Sequence, residues 1–190
     1  LDLQELINLK SLNKSEDKSY LNFVKSYLKR FTEFPEKMQI HDSSLFYIAR
    51  HGSSKDLDLV LDVMKKDKGI THHSYGMALS KLMTEKDIPK IMKLLEDSDY
   101  NTQNVIVNCF NYREDKKTAL EVARKILARY SSLESKVFKD DDELKTLISS
   151  CSDVMTKWAT ADDIPYMKPY TNLGIYTDID FQAIIKDLEI

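Results

Sequence analysis

Apolar side chains recur along the chain with the period of an α-helix. They begin at Tyr75 and return three, four, seven and eight residues later, at Ala78, Leu79, Leu82 and Met83. This spacing places all five on one stripe of a helix, whereas a half-buried strand would alternate apolar and polar positions. The pattern therefore predicts a helix here.

The longest stripe of this kind predicts the longest helix. Its apolar positions are Leu144, Leu147, Ile148, Cys151, Val154, Met155 and Trp158. Shorter stripes run from Tyr20 to Phe31, Ile88 to Leu95, Leu120 to Tyr130 and Phe181 to Leu188. The chain has only 4 glycines and 4 prolines, too few for the tight turns of an all-β fold. Together these features predict an all-α protein.

A short motif recurs between the predicted helices. It consists of a hydroxyl residue, two polar or small residues, an Asp and an aliphatic residue, and it occupies Ser53 to Leu57, Thr84 to Ile88 and Thr160 to Ile164. A looser copy lacking the hydroxyl ends at Asp115. The first copies are spaced by about 30 residues, which is the period of a helical repeat.

Helix capping gives the motif a physical reason, because a side-chain oxygen at a helix start accepts hydrogen bonds from unpaired backbone N–H groups. Two registers fit. In one, Thr84 caps and Asp87 completes a capping box. In the other, Asp87 itself caps and Pro89 falls in the first turn. The prolines Pro89 and Pro165 favour the second register for Asp87 and Asp163.

With this period and motif the chain resembles the HEAT-like repeat family, and in particular its short bacterial, phycobilisome-lyase type. The resemblance covers about residues 42–170. It implies a right-handed α-solenoid, or α-α superhelix, of stacked antiparallel helix pairs. We accordingly expect one all-helical domain over 1–190, with terminal capping segments at 1–41 and 171–190.

Composition narrows the classes of function. The formal net charge of -3 supplies no bulk positive field for a phosphate backbone, so we do not expect nucleic acid as a partner. No run approaches the ~18 apolar residues of a membrane span.

The two cysteines, Cys109 and Cys151, lie among apolar neighbours and are expected to be buried. The chain begins at Leu1, so we expect that a preceding piece was removed or not included, and the compartment stays open.

Candidate chemistry is sparse. His41, His51, His72 and His73 invite a metal site, but adjacent histidines on a helix point about 100° apart and cannot share one ion. Relatives in the HEAT-like family include iron hydroxylases, which carry His-Glu dipeptides absent here, and DNA glycosylases. Trp158 lies on an apolar stripe, which favours the core over a base-binding role. We therefore expect no catalytic residue, cofactor or metal.

The stretch from Tyr166 to Tyr176 carries three tyrosines in a segment interrupted by Pro169 and Gly174. Tyrosine in irregular structure is a common component of interfaces, because it offers a rigid apolar face with a polar end. The alternative is that this segment folds back and covers the end of the helical core. Both interpretations stay open at the level of the sequence.

Solenoids mostly hold other macromolecules, so the resemblance implies a protein-binding or scaffold module, such as an immunity or inhibitor protein that masks a partner. The alternative is a HEAT-like enzyme or enzyme subunit of lyase or DNA-repair type. In the family, the second helix of each pair lines the inner face. The partner-binding candidates are these helices' polar residues and the tyrosines: Lys81, Asn104, Asn108, Asp153, Lys157, Tyr166, Tyr170 and Tyr176.

Overall fold

The computed structural model describes residues 17–33, 38–67 and 72–189, with the backbone alone at 38, 39 and 72. All regular structure in these ranges is helical, which confirms the all-α prediction. None of the described helices is long and apolar enough to cross a membrane. Much of the predicted capping segment 1–41, and the side chain of His72, lie outside the described residues.

The chain divides into two compact units, Leu1–Leu94 and Leu95–Ile190. The single domain expected over 1–190 stays a prediction. The described residues of the first unit form the helices α1 Leu21–Lys29, α2 Met38–His51, α3 Leu57–Lys66 and α4 His72–Leu82 and most of α5 Ile88–Glu96. The helices of the second unit are α6 Tyr100–Arg113, α7 Lys116–Tyr130, α8 Ser135–Asp140, α9 Asp142–Trp158, α10 Ile164–Met167 and α11 Thr177–Leu188.

Helices in the first unit pack on the helix two places along the chain as well as on their direct neighbour. α1 contacts α3, α2 contacts α4, and the pairs α1–α2 and α3–α4 also touch. The packing buries the apolar stripes almost completely, as at Val24, Leu45, Ile48, Val60 and Leu79. Two helical layers result, with α1 and α3 in one and α2 and α4 in the other.

The second unit also has two layers, but its partners lie three places apart along the chain because the short α8 is inserted. α6 packs on α9, α7 packs on α10, and the two layers meet through α6–α7 and α7–α9. α11 then packs on α9 and α10. The predicted stripe on α9 is confirmed as a core face from Leu144 to Met155, whereas Trp158 at its end is only half-buried. α9 is also the longest of the described helices, as expected from the sequence.

The recurring motif forms the same structure at each of its three full copies, a single 3-10 turn that leads into a helix. In each, the Asp accepts a hydrogen bond from the backbone N–H of the hydroxyl residue, at 2.8 Å from Thr84 to Asp87 and 2.9 Å from Thr160 to Asp163. This is the capping box, in which the Thr or Ser is the N-cap residue. The register that Pro89 and Pro165 favour, with the Asp as the N-cap residue, is therefore wrong for the Asp side chains. Pro165 does lie in the first turn of α10, but Asp163 caps the preceding turn.

The looser copy at Asp115 starts α7 without a preceding 3-10 turn. The Asp115 carboxylate accepts directly from the backbone N–H of Thr118 at 3.1 Å, as an ordinary N-cap residue does. This copy does not require the hydroxyl residue. Its Asp side chain accepts from a backbone N–H that follows it in the chain, whereas in the full copies the Asp accepts from the N–H of the preceding hydroxyl residue.

Ion pairs connect the motif to the preceding helix of the same layer. Lys25 on α1 lies 2.6 Å from Asp56 before α3. Arg124 on α7 lies 2.5 Å from Asp163, whose carboxylate is completely buried before α10. An exposed pair outside the motif joins Lys90 of α5 to Asp58 of α3. Each of the three pairs links two helices that are not consecutive in the chain.

Candidate functional site

A polar surface lies where α6 and α9 pack side by side. We call it the α6–α9 face, and it comprises Asn104, Asn108, Ser150, Asp153 and Lys157. Asn108 donates from Nδ2 to the backbone oxygen of Asn104 at 2.9 Å and to its Oδ1 at 3.1 Å. The same group lies 3.4 Å from the Ser150 hydroxyl across the helix pair. These bonds fix the orientation of the half-buried Asn108 amide.

The charged end of this face has two side chains on α9. Lys157 lies 3.6 Å from Glu114 and places its ammonium group 4.4 Å from the centre of the Trp158 ring. Asp153 is exposed one turn before it. Partial desolvation of its carboxylate and the negative charge of Asp180 on α11 raise the pKa of Asp153 above its ordinary value. A cation placed beside Asp153 would lower that pKa again.

The chemistry of the face is that of recognition. It offers the half-buried amide of Asn108, held in position by its hydrogen bonds, together with one carboxylate and one ammonium group. The thiols of Cys109 and Cys151 lie beneath it with no exposed surface. Burial raises the pKa of Cys109 to about 12 and raises that of Cys151 as well, so both thiols stay protonated and unreactive.

In the first unit, Lys81 borders a groove of about 520 Å³ between α2 and α4. Its wall is apolar at Phe46, Ala49 and Met77, and Arg50 lies at the same end as Lys81. Both cations stand in the last turn of their helices, where they also complement the helix dipole. The groove therefore has an apolar wall and two cationic side chains at one end.

The three candidate tyrosines occupy different environments. Tyr170 is fully buried, donates from its hydroxyl to the Leu127 backbone oxygen at 2.6 Å, and packs between Phe138 and Phe181 with ring centroids 5.7 Å away. Tyr166 is half-buried. Tyr176 is 60% exposed at the start of α11. The segment therefore covers the core through Tyr170 while Tyr176 remains at the surface.

The remaining candidates also separate by exposure. Lys81, Asp153 and Lys157 are exposed, and Asn108 is half-buried. Asn104 is only 1% exposed, so it supports Asn108 from below and does not itself reach a partner. Neither Asn104 nor Tyr170 thus lies at the surface where the sequence interpretation placed it.

A buried polar cluster in the first unit was missed from the sequence. The Tyr75 hydroxyl donates to Asp67 at 2.9 Å and lies 2.7 Å from Nε2 of His41. Because that hydroxyl has only one proton, His41 donates to its oxygen from Nε2. The signal that could have revealed the cluster is Tyr75 itself, since a tyrosine on a core stripe needs a partner for its hydroxyl.

This cluster is not arranged for catalysis. Tyr75 has no exposed surface, and burial together with the charge of Asp67 raises its pKa, which keeps the phenol protonated. A substrate would have no access to it, and a nucleophile needs the opposite shift. Across the described parts of the chain, no group of three His, Cys, Asp or Glu side chains is placed to hold a metal ion.

Comparison with known proteins gives no relative for this chain. No family model, no curated protein and no solved structure matches it.

Proposed function

We propose that each unit is a short stack of HEAT-like helix pairs and that the protein is a binding or scaffold module for another protein. The observation that carries this proposal is the packing of helices that are not consecutive in the chain, α1 on α3 and α2 on α4 in the first unit and α6 on α9 and α7 on α10 in the second. Such stacking produces layers whose outer surfaces stay open to solvent. The capping boxes before α3, α5 and α10 support the same repeat, because all three helices begin in the same way.

The α6–α9 face is the surface we propose for the partner. A binding surface needs side chains whose positions are fixed before the partner arrives, because ordering them on binding weakens affinity. Asn108 meets this requirement through its bonds to Asn104 and Ser150. Lys157 and Asp153 add one charge of each sign, which would set the orientation of a partner.

An immunity or inhibitor protein is the form of this function that the face fits best. Masking a partner needs a complementary surface and no chemistry of its own. The protonated thiols of Cys109 and Cys151 and the phenol of Tyr75 are all buried, so none of these three groups is presented to a partner. The proposal is therefore occlusion of a partner's site by surface contact.

Charge reversal on the α6–α9 face should weaken partner capture. The immobilised protein would be exposed to lysate of its source organism, and one specific protein should be retained. Lys157→Glu and Asp153→Lys should each weaken retention about tenfold or more, because a rim charge of the wrong sign meets a like charge on the partner. The intensity of the partner's gel band, measured over a series of lysate dilutions, gives the amount that each variant retains.

Matched controls come from the other layer of the same unit. Glu121→Lys and Lys125→Glu reverse an exposed pair of charges on α7, whose members are 3.2 Å apart. They should leave capture unchanged. Capture that is lost in the α7 variants but kept in the α9 variants would refute the proposed surface.

A further inference from the structure

The most exposed apolar side chains of the described residues lie together at the start of α11. Ile179 is 71% exposed and Tyr176 is 60% exposed. They are three residues apart and so lie on the same face, one turn from each other. Together they form a small exposed apolar patch, which a partner's apolar side chains can cover.

Two exposed carboxylates lie on α11 and on the α9 helix that packs against it. Asp180 follows Ile179 and lies one turn after Tyr176 on the exposed side of α11. Asp153 lies on α9, which packs against α11, and feels the negative charge of Asp180. Neither carboxylate has a cationic partner among the described residues, and Lys157, the nearest lysine along α9, is turned to Glu114. We call Tyr176, Ile179, Asp180 and Asp153 the α11 ridge.

We propose that the α11 ridge binds a cationic amphipathic segment of the protein partner. The inference deepens the proposed function and rests on it, since it names the chemistry of the partner at one edge of the α6–α9 face. Lysine or arginine side chains of that segment would pair with Asp153 and Asp180, and its apolar side chains would cover Tyr176 and Ile179.

Charge complementarity selects this occupant. Asp153 and Asp180 are both exposed, they lie on two helices that pack against each other, and no cation among the described residues pairs with either, so both attract a cationic side chain of a partner. An acidic segment would be repelled by both. Arginine and lysine also carry apolar stems that pack along aromatic and aliphatic surface while the charged end reaches a carboxylate.

A second copy of the chain fits the ridge less well. A two-fold symmetric contact would place the ridge against itself, so that Asp153 and Asp180 would face the same carboxylates of the other copy. The like charges would then disfavour the contact that Tyr176 and Ile179 promote. The ridge therefore selects a partner of opposite charge.

A defined peptide tests the ridge without the natural partner. The probe is a short, fluorescein-labelled helical peptide of leucine and lysine, compared with one of leucine and glutamate, and fluorescence anisotropy follows binding to the whole protein. The lysine peptide should bind and the glutamate peptide should not. Combining Asp153→Asn with Asp180→Asn should weaken binding about tenfold, and so should Ile179→Ser.

Neutralising two other exposed carboxylates controls for total charge. The double variant Glu134→Gln with Glu143→Gln removes the same charge from exposed positions of the same unit and should change affinity less than about twofold. Added salt should weaken binding to the wild type more than to the Asp153 and Asp180 double variant.

Three results would overturn the ridge proposal. They are equal losses in both double variants, no binding of the lysine peptide, or a wild-type dimer that Ile179→Ser converts to monomer. Because the natural partner is absent from this assay, each outcome leaves the capture experiment to decide the proposed function separately. Failure of capture would likewise leave the peptide result standing.

Discussion

Replacing Cys151 with aspartate is expected to abolish cooperative folding of the second unit. Cys151 has no exposed surface and lies at the centre of α9, which packs on α6, α7 and α11. A carboxylate there would have no cation and no water, and burying it costs at least about 4 kcal/mol, a large part of the stability of an ordinary domain. Thermal unfolding followed by circular dichroism measures the loss.

Thr146→Asp is the matched control on the same helix. Thr146 is exposed and lies in the first half of α9, so a new carboxylate there stays in water and near the positive end of the helix dipole. We expect its midpoint of unfolding to stay close to that of the wild type. A Cys151→Asp protein that unfolds at the wild-type temperature would mean that this stripe of α9 faces solvent.

Removing the guanidinium of Arg124 is expected to give the largest effect among the ion pairs. In Arg124→Met the fully buried Asp163 carboxylate keeps its bonds from Thr160 but loses its cation. Breaking a buried pair costs about 3–5 kcal/mol, and the partial exposure of Arg124 reduces this to about 2–3 kcal/mol. Urea unfolding of the two proteins gives the difference.

The pH dependence of this difference has a defined sign. Burial raises the pKa of Asp163, but the bonds from Arg124 and Thr160 outweigh it and hold the pKa below its ordinary value of 3.8. The contribution of the ion pair is therefore complete above that value and is lost as the pH falls through the lowered native pKa. We expect the two proteins to become more alike as the medium is acidified below pH about 4.

Two related pairs serve as controls of burial. Lys25→Met removes the partner of Asp56, which is 7% exposed, and should have a smaller effect. Lys90→Met affects the exposed pair with Asp58 and should change stability by less than about 0.5 kcal/mol. Equal effects at all three sites would contradict the argument that the burial of Asp163 decides the magnitude.

The helical class and the longest helix were predictable because their signal is local. A stripe of apolar residues on one side, as on α9, requires only that one face is buried. α6 gave no such stripe, because it is buried on several sides and carries a nearly continuous apolar run at Val105, Ile106 and Val107. A helix surrounded by neighbours loses the periodicity that identifies it from sequence.

The register of the capping motif was predicted wrongly for a similar reason. Pro89 and Pro165 favour the first turn of a helix, and that preference is correct for the backbone. The side chain of Asp87 nevertheless reaches back to the Thr84 N–H, because a 3-10 turn precedes the helix. Sequence patterns do not distinguish one extra turn from the first turn of the helix itself.

The sequence predicted which candidate residues share a helix face, but not which of their side chains are exposed to solvent. Asn104 and Asn108 lie one turn apart on α6, and sequence places them on one face. Only the packing of α9 against α6 shows that Asn104 is buried and Asn108 half-exposed. Likewise, the three tyrosines from Tyr166 to Tyr176 look equivalent in sequence, while long-range contacts with α7 and α11 bury Tyr170 alone.

Hydrogen–deuterium exchange on the complex with the captured partner tests the central claim most directly. If the α6–α9 face binds the partner, backbone amides of residues 104–113 and 149–158 should exchange more slowly in the complex, while those of α7 should not change. Protection confined to α7, or no change in α6 and α9 while the complex stays intact, would contradict the account.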